Sequence, residues 1–145
     1  MSQMRYAEPR ALMGQMITKI RILIIDDDAN TLKACEEILS SWGNATVTTC
    51  NGLAAMAVVC SCTPDIVLTE LLMPRKDGIE LLREIKLTSP QIKVIAMSGG
   101  GSLLSPELVL RLARQLGADG TVSKPVDAKS LLEAIEMALF PQDDD

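Results

Sequence analysis

The sequence predicts a doubly wound α/β fold built on a five-stranded parallel sheet. Short aliphatic or β-branched runs alternate five times with amphipathic helical patterns, and turn residues separate the two kinds of segment. The chain has 145 residues, enough for one domain with a full hydrophobic core. Crossovers in such folds are right-handed, so each βα unit should add one parallel strand and place helices on both faces.

The predicted strands are short apolar runs that end at turn residues or acids. Ile20–Ile25 is almost continuously aliphatic, as expected of an internal parallel strand, and Asp26 and Asp27 follow it. The run 66–69 delivers Glu70 to its carboxyl end. The other predicted strands are Ala45–Cys50, 91–97 and Gly120–Ser123.

Helices are predicted where apolar residues recur at helical spacing. Gly43 ends the first helix, Pro106 lies near the start of the fourth, and Asp127 caps the fifth. The positions that mark these helices are Leu32, Cys35, Leu39 and Trp42; residues 53–62; Ile79, Leu82 and Ile85; Leu104, Leu108, Leu112 and Leu116; and Leu131, Ile135 and Leu139.

The chain divides into an extension, one folded domain and a tail. Residues 1–18 are polar and rich in methionine, and Pro9 and Gly14 interrupt any pattern there. We therefore expect a flexible extension before a domain over 19–141, with an acidic tail at 142–145. No apolar run approaches the ~20 residues of a membrane span, and 1–18 lacks the hydrophobic region of a signal peptide.

Composition excludes several classes of function. The net charge of -5 and the absence of a basic stripe argue against binding to nucleic acid. The chain contains no histidine, which excludes Ser-His and Cys-His catalysis and imidazole metal sites. The four cysteines lack zinc-site spacing and are predicted to be reduced, as in a cytoplasmic protein.

Polar residues end four of the predicted strands and should meet at one edge of the sheet. Asp26 and Asp27 follow the first strand, Glu70 the third, Ser98 the fourth and Lys124 the fifth. Carboxylates at such close range repel one another, each pair by about 4 kcal/mol at an effective dielectric of 20. A cation must offset this repulsion, either Mg²⁺ with its preference for oxygen ligands or the ammonium of Lys124.

Four sequence markers at these strand ends point to a known family. They are Ile-Leu-Ile-Ile-Asp-Asp-Asp, Met-Pro-x-x-Asp-Gly after the third strand, a serine that closes the fourth, and Lys-Pro after Gly-Ala-Asp-Gly. With these markers, residues 20–140 resemble the response-regulator receiver domain of bacterial two-component signalling. The resemblance implies a flavodoxin-like (βα)₅ fold with strand order 2-1-3-4-5, a signalling module and not an enzyme.

The resemblance also implies a role for each site residue. In the family, the acid at the position of Glu70 accepts a phosphoryl group from a histidine kinase or phosphotransfer protein. Mg²⁺ or Mn²⁺ would be held by Asp27, by Asp26 through water, by the Leu72 carbonyl and by the acid at 70. Ser98 and Lys124 would bind the phosphoryl oxygens, and the output would be contact with a downstream protein.

Two departures from the family pattern change the expected function. Glu70 stands where the family has an aspartate, so its carboxylate reaches roughly 1.5 Å further, and we expect a pseudo-receiver or a phosphomimetic form. Thr121 stands where the family commonly has an aromatic residue that rotates on phosphorylation, so the ring that would couple to Ser98 is absent from this switch position.

Other readings of the sequence stay open at this point. Glu70 could accept phosphate in a competent receiver, or could be an introduced phosphate mimic or an exposed strand-end acid without a role. Asp26 and Asp27 could be a solvated turn before a helix. A protein of another class, an aspartyl-phosphate phosphatase, would use Asp26 and Asp28, but the chain lacks the further carboxylate pair that such chemistry needs downstream of the lysine.

Overall fold

A computed structural model describes residues 19–74, 76–99 and 105–142. Within these ranges five strands form one parallel sheet in the order β2-β1-β3-β4-β5, which confirms the predicted fold class and strand order. The strands are β1 (Ile20–Ile25), β2 (Ala45–Cys50), β3 (Ile66–Glu70), β4 (Lys93–Ser98) and β5 (Gly120–Ser123). The helices are α1 (Ala29–Trp42), α2 (Ala55–Cys62), α3 (Gly78–Thr88), α4 (Pro106–Gln115) and α5 (Ala128–Leu139).

Some of the predictions concern residues outside these ranges. The expected extension at 1–18, the glycine-rich segment after Gly99 with Leu104, and residues 143–145 of the tail all lie outside the described residues. Among the described helices, none is long and apolar enough to cross a membrane.

The sheet separates two apolar clusters, one on each face. Along β1, Leu23 and Ile25 contribute to one cluster, whereas Ile22 and Ile24 contribute to the other. All five residues of β3 are buried, as expected of a central strand covered on both sides. This double coverage explains why the central strands β1, β3 and β4 are nearly continuous apolar runs, whereas the edge strand β2 alternates.

The register of the strands brings the predicted site residues to one edge of the sheet. Glu70 pairs with Met97, one residue before Ser98. Ser98 in turn pairs with Ser123, one residue before Lys124. Because β1 lies beside β3, the acids that follow β1 reach the same edge.

Two elements begin later than the sequence pattern predicted, and local hydrogen bonds explain both differences. The side chain of Asn51 accepts a hydrogen bond from the Ala54 N–H at 3.0 Å, which forms a turn and delays α2 to Ala55. The Ile92 N–H donates to the Ser89 carbonyl at 3.0 Å, so β4 begins at Lys93 and not at residue 91.

The leucine repeat of α4 predicts a helix correctly but does not mark its buried face. Leu108 is 46% exposed and Leu112 is 39% exposed, whereas Val109, Leu110 and Ala113 are buried. The helix covers β4 and β5 with the side that carries Val109 and Ala113. A repeat every four residues identifies a helix, and only the neighbouring elements decide which stripe faces the core.

Gly78 is required by close packing between the start of α3 and the end of β3. A Cβ atom at this position would lie 2.5 Å from the backbone oxygen of Glu70 and 2.5 Å from the Cα of Leu71. We expect Gly78→Ala to lower the free energy of unfolding by about 1–3 kcal/mol, measured by urea denaturation. Leu87→Ala serves as the control, because Leu87 is 76% exposed on the same helix and should change stability by no more than about 0.5 kcal/mol. Equal stability of the two variants would contradict the steric argument.

Candidate functional site

Three charged side chains meet at the carboxyl edge of the sheet. The ammonium nitrogen Nζ of Lys124 lies 2.7 Å from Oδ2 of Asp26 and 2.5 Å from Oε1 of Glu70. The side chains of the two acids are 3% and 7% exposed, and that of Lys124 is 18% exposed. One cation therefore bridges two buried carboxylates that come from neighbouring strands.

The Glu70 side chain folds back on the backbone that follows it. Its second oxygen, Oε2, accepts hydrogen bonds from the N–H groups of Leu71 and Leu72, each at 2.9 Å. Since Oε1 contacts Lys124, both carboxylate oxygens of Glu70 have partners. The carboxylate thus ties the loop after β3 to the lysine after β5.

Asp26 is buried and depends on the lysine for its charge balance. Its Oδ1 accepts a hydrogen bond from the Asp28 N–H at 2.9 Å. Its Oδ2 lies 2.7 Å from the ammonium of Lys124, which is its ionic partner. A buried carboxylate without such a partner would be costly, which makes this contact structural as well as electrostatic.

The lysine is held in place by its own backbone and remains charged. Its N–H donates to the Ser98 carbonyl at 3.0 Å, and a cis peptide bond joins it to Pro125. A Cβ atom on Gly99 would collide with the Cβ of Lys124, so this glycine is needed for close approach. Burial alone lowers the pKa of Lys124, but the hydrogen bonds and charges of Asp26 and Glu70 outweigh that effect and raise the pKa above its usual value.

Ser98 ends β4 with a buried hydroxyl. The residue is 0% exposed, and its Oγ has no hydrogen-bond partner among the described residues. An unpartnered hydroxyl at this edge of the sheet is an unused donor and acceptor.

Asp27 is not part of the buried cluster. It is exposed, and its Oδ1 accepts a hydrogen bond from the Gly52 N–H at 3.0 Å, which ties the end of β1 to the turn before α2. The predicted group of three acids is therefore a pair, Asp26 and Glu70, with Asp27 engaged elsewhere. In the described ranges, no group of three or more cysteine, aspartate or glutamate residues is arranged to hold a metal ion.

The other predicted site residues lie near this edge with partners of their own. Leu72 follows β3, is 37% exposed and forms an antiparallel bridge with Asp77. Thr121 on β5 accepts a hydrogen bond from the Arg114 guanidinium at 2.9 Å. Asp28, the second acid of the phosphatase alternative, caps α1 by accepting a hydrogen bond from the Asn30 N–H at 3.0 Å. These contacts give Asp28 a structural role at the start of that helix.

Two cavities of the described structure lie away from the charged cluster. A cavity of about 530 Å³ lies at the amino edge of the sheet, lined by Ile20 and Ile92 among others. A second cavity, of about 550 Å³, lies along β5 between α4 and α5. None of the three charged residues lines either cavity.

Sequence reasoning missed two features of the site. The N–H groups of Leu71 and Leu72 act as donors to Glu70, and a backbone donor leaves no signal in residue type. Gly99 is the second, because its lack of a side chain makes room for Lys124. A glycine directly after a strand signals close approach, but not which residue approaches it.

Comparison with known proteins identifies the family. The family model for the response regulator receiver domain matches residues 22–136. Sporulation initiation phosphotransferase F of Bacillus subtilis is 32% identical over 119 residues, which cover 82% of this chain and 93% of that protein. Transcriptional regulatory protein GlrR of Escherichia coli is 35% identical over 118 residues, which cover 81% of this chain and 26% of that protein.

Solved structures lead to the same family. The crystal structure of a response regulator receiver domain protein from Clostridium thermocellum is 32% identical, with a TM-score of 0.72, and the match covers 83% of this chain and 94% of that one. The chain spans nearly all of the receiver domain protein and about a quarter of the longer transcriptional regulator. This chain therefore belongs to the response regulator receiver domain family of two-component signalling.

Proposed function

We propose that this chain is a pseudo-receiver, a receiver domain that signals through protein contact without being phosphorylated on Glu70. One observation carries the proposal: both carboxylate oxygens of Glu70 are already engaged. Oε1 contacts the Lys124 ammonium at 2.5 Å, and Oε2 accepts the N–H groups of Leu71 and Leu72. The acid at the phosphoacceptor position therefore has both of its carboxylate oxygens occupied by groups of its own chain.

The extra methylene group of glutamate also disfavours phosphoryl transfer. In that reaction a carboxylate oxygen attacks the phosphorus of a donor, and an acyl phosphate mixed anhydride forms. The bond to the donor breaks, and its leaving atom, an imidazole nitrogen of a phosphohistidine or an oxygen of acetyl phosphate, keeps the bonding electron pair. The attacking oxygen must lie in line with the leaving group. The extra methylene group displaces the carboxylate by roughly one C–C bond, about 1.5 Å. A displacement of the reacting atom by only ~1 Å can lower the rate ~100-fold, so this attack should be slow.

Receiver domains commonly bind Mg²⁺ at the phosphorylation site, where the ion would offset phosphoryl charge. By family resemblance the ligands here would be Asp26, Asp27, the Leu72 carbonyl and the acid at 70. These groups do not fit a divalent ion as they are arranged, because Asp26 and Glu70 contact Lys124 and Asp27 contacts Gly52. We propose that Mg²⁺ or Mn²⁺ binding is weak or absent. Ser98 and Lys124 then occupy the positions that bind phosphoryl oxygens in the family, but no phosphoryl group reaches them.

The proposed output is contact with another protein in the cytoplasm. Receiver domains interact with histidine kinases or phosphotransfer proteins, and a downstream target is proposed here in addition. The exposed leucines Leu108 and Leu112 on α4 offer apolar contact area, and the half-exposed Met137 on α5 lines the cavity along β5. Thr121 lines that cavity with a small side chain where the family commonly has an aromatic residue. We propose residues 19–141 as the unit that makes this contact.

The experiment is incubation of the purified chain with Mg²⁺ and acetyl phosphate, followed by intact mass spectrometry. We expect no stoichiometric gain of a phosphoryl group. A stoichiometric adduct that maps to Glu70 would overturn the proposal and leave a competent receiver in its place.

A further inference from the structure

We propose that Lys124 serves as the built-in cation of the acidic pocket, in place of a divalent metal ion, and that removing its charge uncovers a divalent-cation site formed by Asp26 and Glu70. This inference deepens the proposed function, because a pocket that supplies its own cation does not need the metal on which phosphoryl transfer depends. It concerns the neutralisation of the pocket, however, and is testable without any phosphoryl donor.

The geometry supports this role. One nitrogen lies 2.7 Å from an oxygen of Asp26 and 2.5 Å from an oxygen of Glu70, so the two oxygens lie no further apart than the sum of these distances. Divalent cations bind oxygen ligands at similar distances, ~2.0–2.6 Å. The ammonium therefore lies between the same atoms that a bridging cation would contact, and a second cation cannot enter without breaking these contacts.

The charges support it as well. Two buried carboxylates with one ammonium carry a net charge of about -1, and a divalent cation that approaches this group meets like-charge repulsion from Lys124. Without the ammonium, the two carboxylates face each other with nothing to offset them. The unpartnered hydroxyl of Ser98 on the neighbouring strand is a further oxygen that could help to hold an ion.

The test compares Mn²⁺ binding to the full chain and to Lys124→Gln, measured by the electron paramagnetic resonance signal of free Mn²⁺. Glutamine keeps much of the length and polarity of lysine and removes only its charge. We expect Lys124→Gln to bind one Mn²⁺ at least about tenfold more tightly than the unmodified chain. Lys129→Gln is the matched control, because Lys129 is exposed on α5 and its loss changes net charge equally. This control should bind Mn²⁺ as the unmodified chain does.

A second variant locates the site. Adding Asp26→Asn to Lys124→Gln removes one of the two carboxylates and should abolish the gain. If Lys124→Gln does not fold in metal-free buffer, its far-ultraviolet circular dichroism is measured after addition of Mn²⁺ or of KCl at equal ionic strength. Recovery of the folded spectrum with Mn²⁺ but not with KCl would also support the inference. The absence of recovery would count against the inference.

Three results would overturn the inference. The first is that the unmodified chain binds Mn²⁺ as tightly as Lys124→Gln does. The second is that neither of these two proteins binds Mn²⁺. The third is that the double variant keeps the tighter binding of Lys124→Gln. None of these results depends on whether Glu70 takes up phosphate. A phosphoryl adduct on Glu70 would overturn the pseudo-receiver proposal alone, so the two failures are distinguishable.

Discussion

Glu70→Asp is expected to allow the chain to take up a phosphoryl group from acetyl phosphate in the presence of Mg²⁺. Shortening the side chain by one methylene withdraws the carboxylate by about 1.5 Å from Lys124 and from the N–H groups of Leu71 and Leu72. The freed space lies between the loop after β3 and the ammonium, where an incoming phosphoryl group would be placed. Correct placement of the nucleophile should raise the rate of phosphorylation by about 100-fold or more over the unmodified chain.

Intact mass spectrometry over a time course measures this gain, with peptide mapping to locate the adduct. Glu80→Asp is the matched control, because it makes the same chemical change at an exposed position of α3 and should leave the protein unphosphorylated. If Glu70→Asp folds normally and takes up no phosphate, the length of the acid is not what disables the site. The reason would then have to be sought in the remaining pocket residues, Ser98 and Lys124 among them.

Lys124→Met is expected to lower the free energy of unfolding by about 3 kcal/mol. The substitution leaves two carboxylates, on side chains that are 3% and 7% exposed, facing each other without a cation. Breaking a buried ion pair from one side typically costs 3–5 kcal/mol, and we take the lower end because the Lys124 side chain is 18% exposed. Methionine occupies a similar volume, so loss of packing contributes little.

Urea denaturation at fixed pH and ionic strength measures this loss. Lys129→Met, on the exposed surface of α5, should change stability by no more than about 0.5 kcal/mol. Adding Glu70→Gln to Lys124→Met removes one of the two charges and should recover part of the stability, because the effects of groups in contact are not additive. Equal stability of Lys124→Met and Lys129→Met would show that the buried acids do not depend on the lysine.

The strands of this protein are readable from its sequence because the central ones, covered on both faces, are nearly continuous apolar runs, and the edge strand Ala45–Cys50 is rich in threonine and valine. Ile20–Ile25 and Ala45–Cys50 appear in the structure with the predicted bounds. Glu70 was predicted at the carboxyl end of β3, and the structure includes it in that strand. The strand order came from family resemblance and is confirmed. The leucine repeat of α4 is the counterexample, since Leu108 and Leu112 are exposed on a helix that they correctly marked.

The sequence by itself determined which groups arrive at the carboxyl edge of the sheet: acids after β1 and β3, a hydroxyl at the end of β4 and a lysine after β5. Only the tertiary structure decided how they pair. Asp26 and Glu70 share the ammonium, whereas Asp27, next in sequence to Asp26, is exposed and contacts Gly52. Consecutive residues at a strand end point in different directions, and contacts across strands depend on register and side-chain length, which residue type alone does not specify.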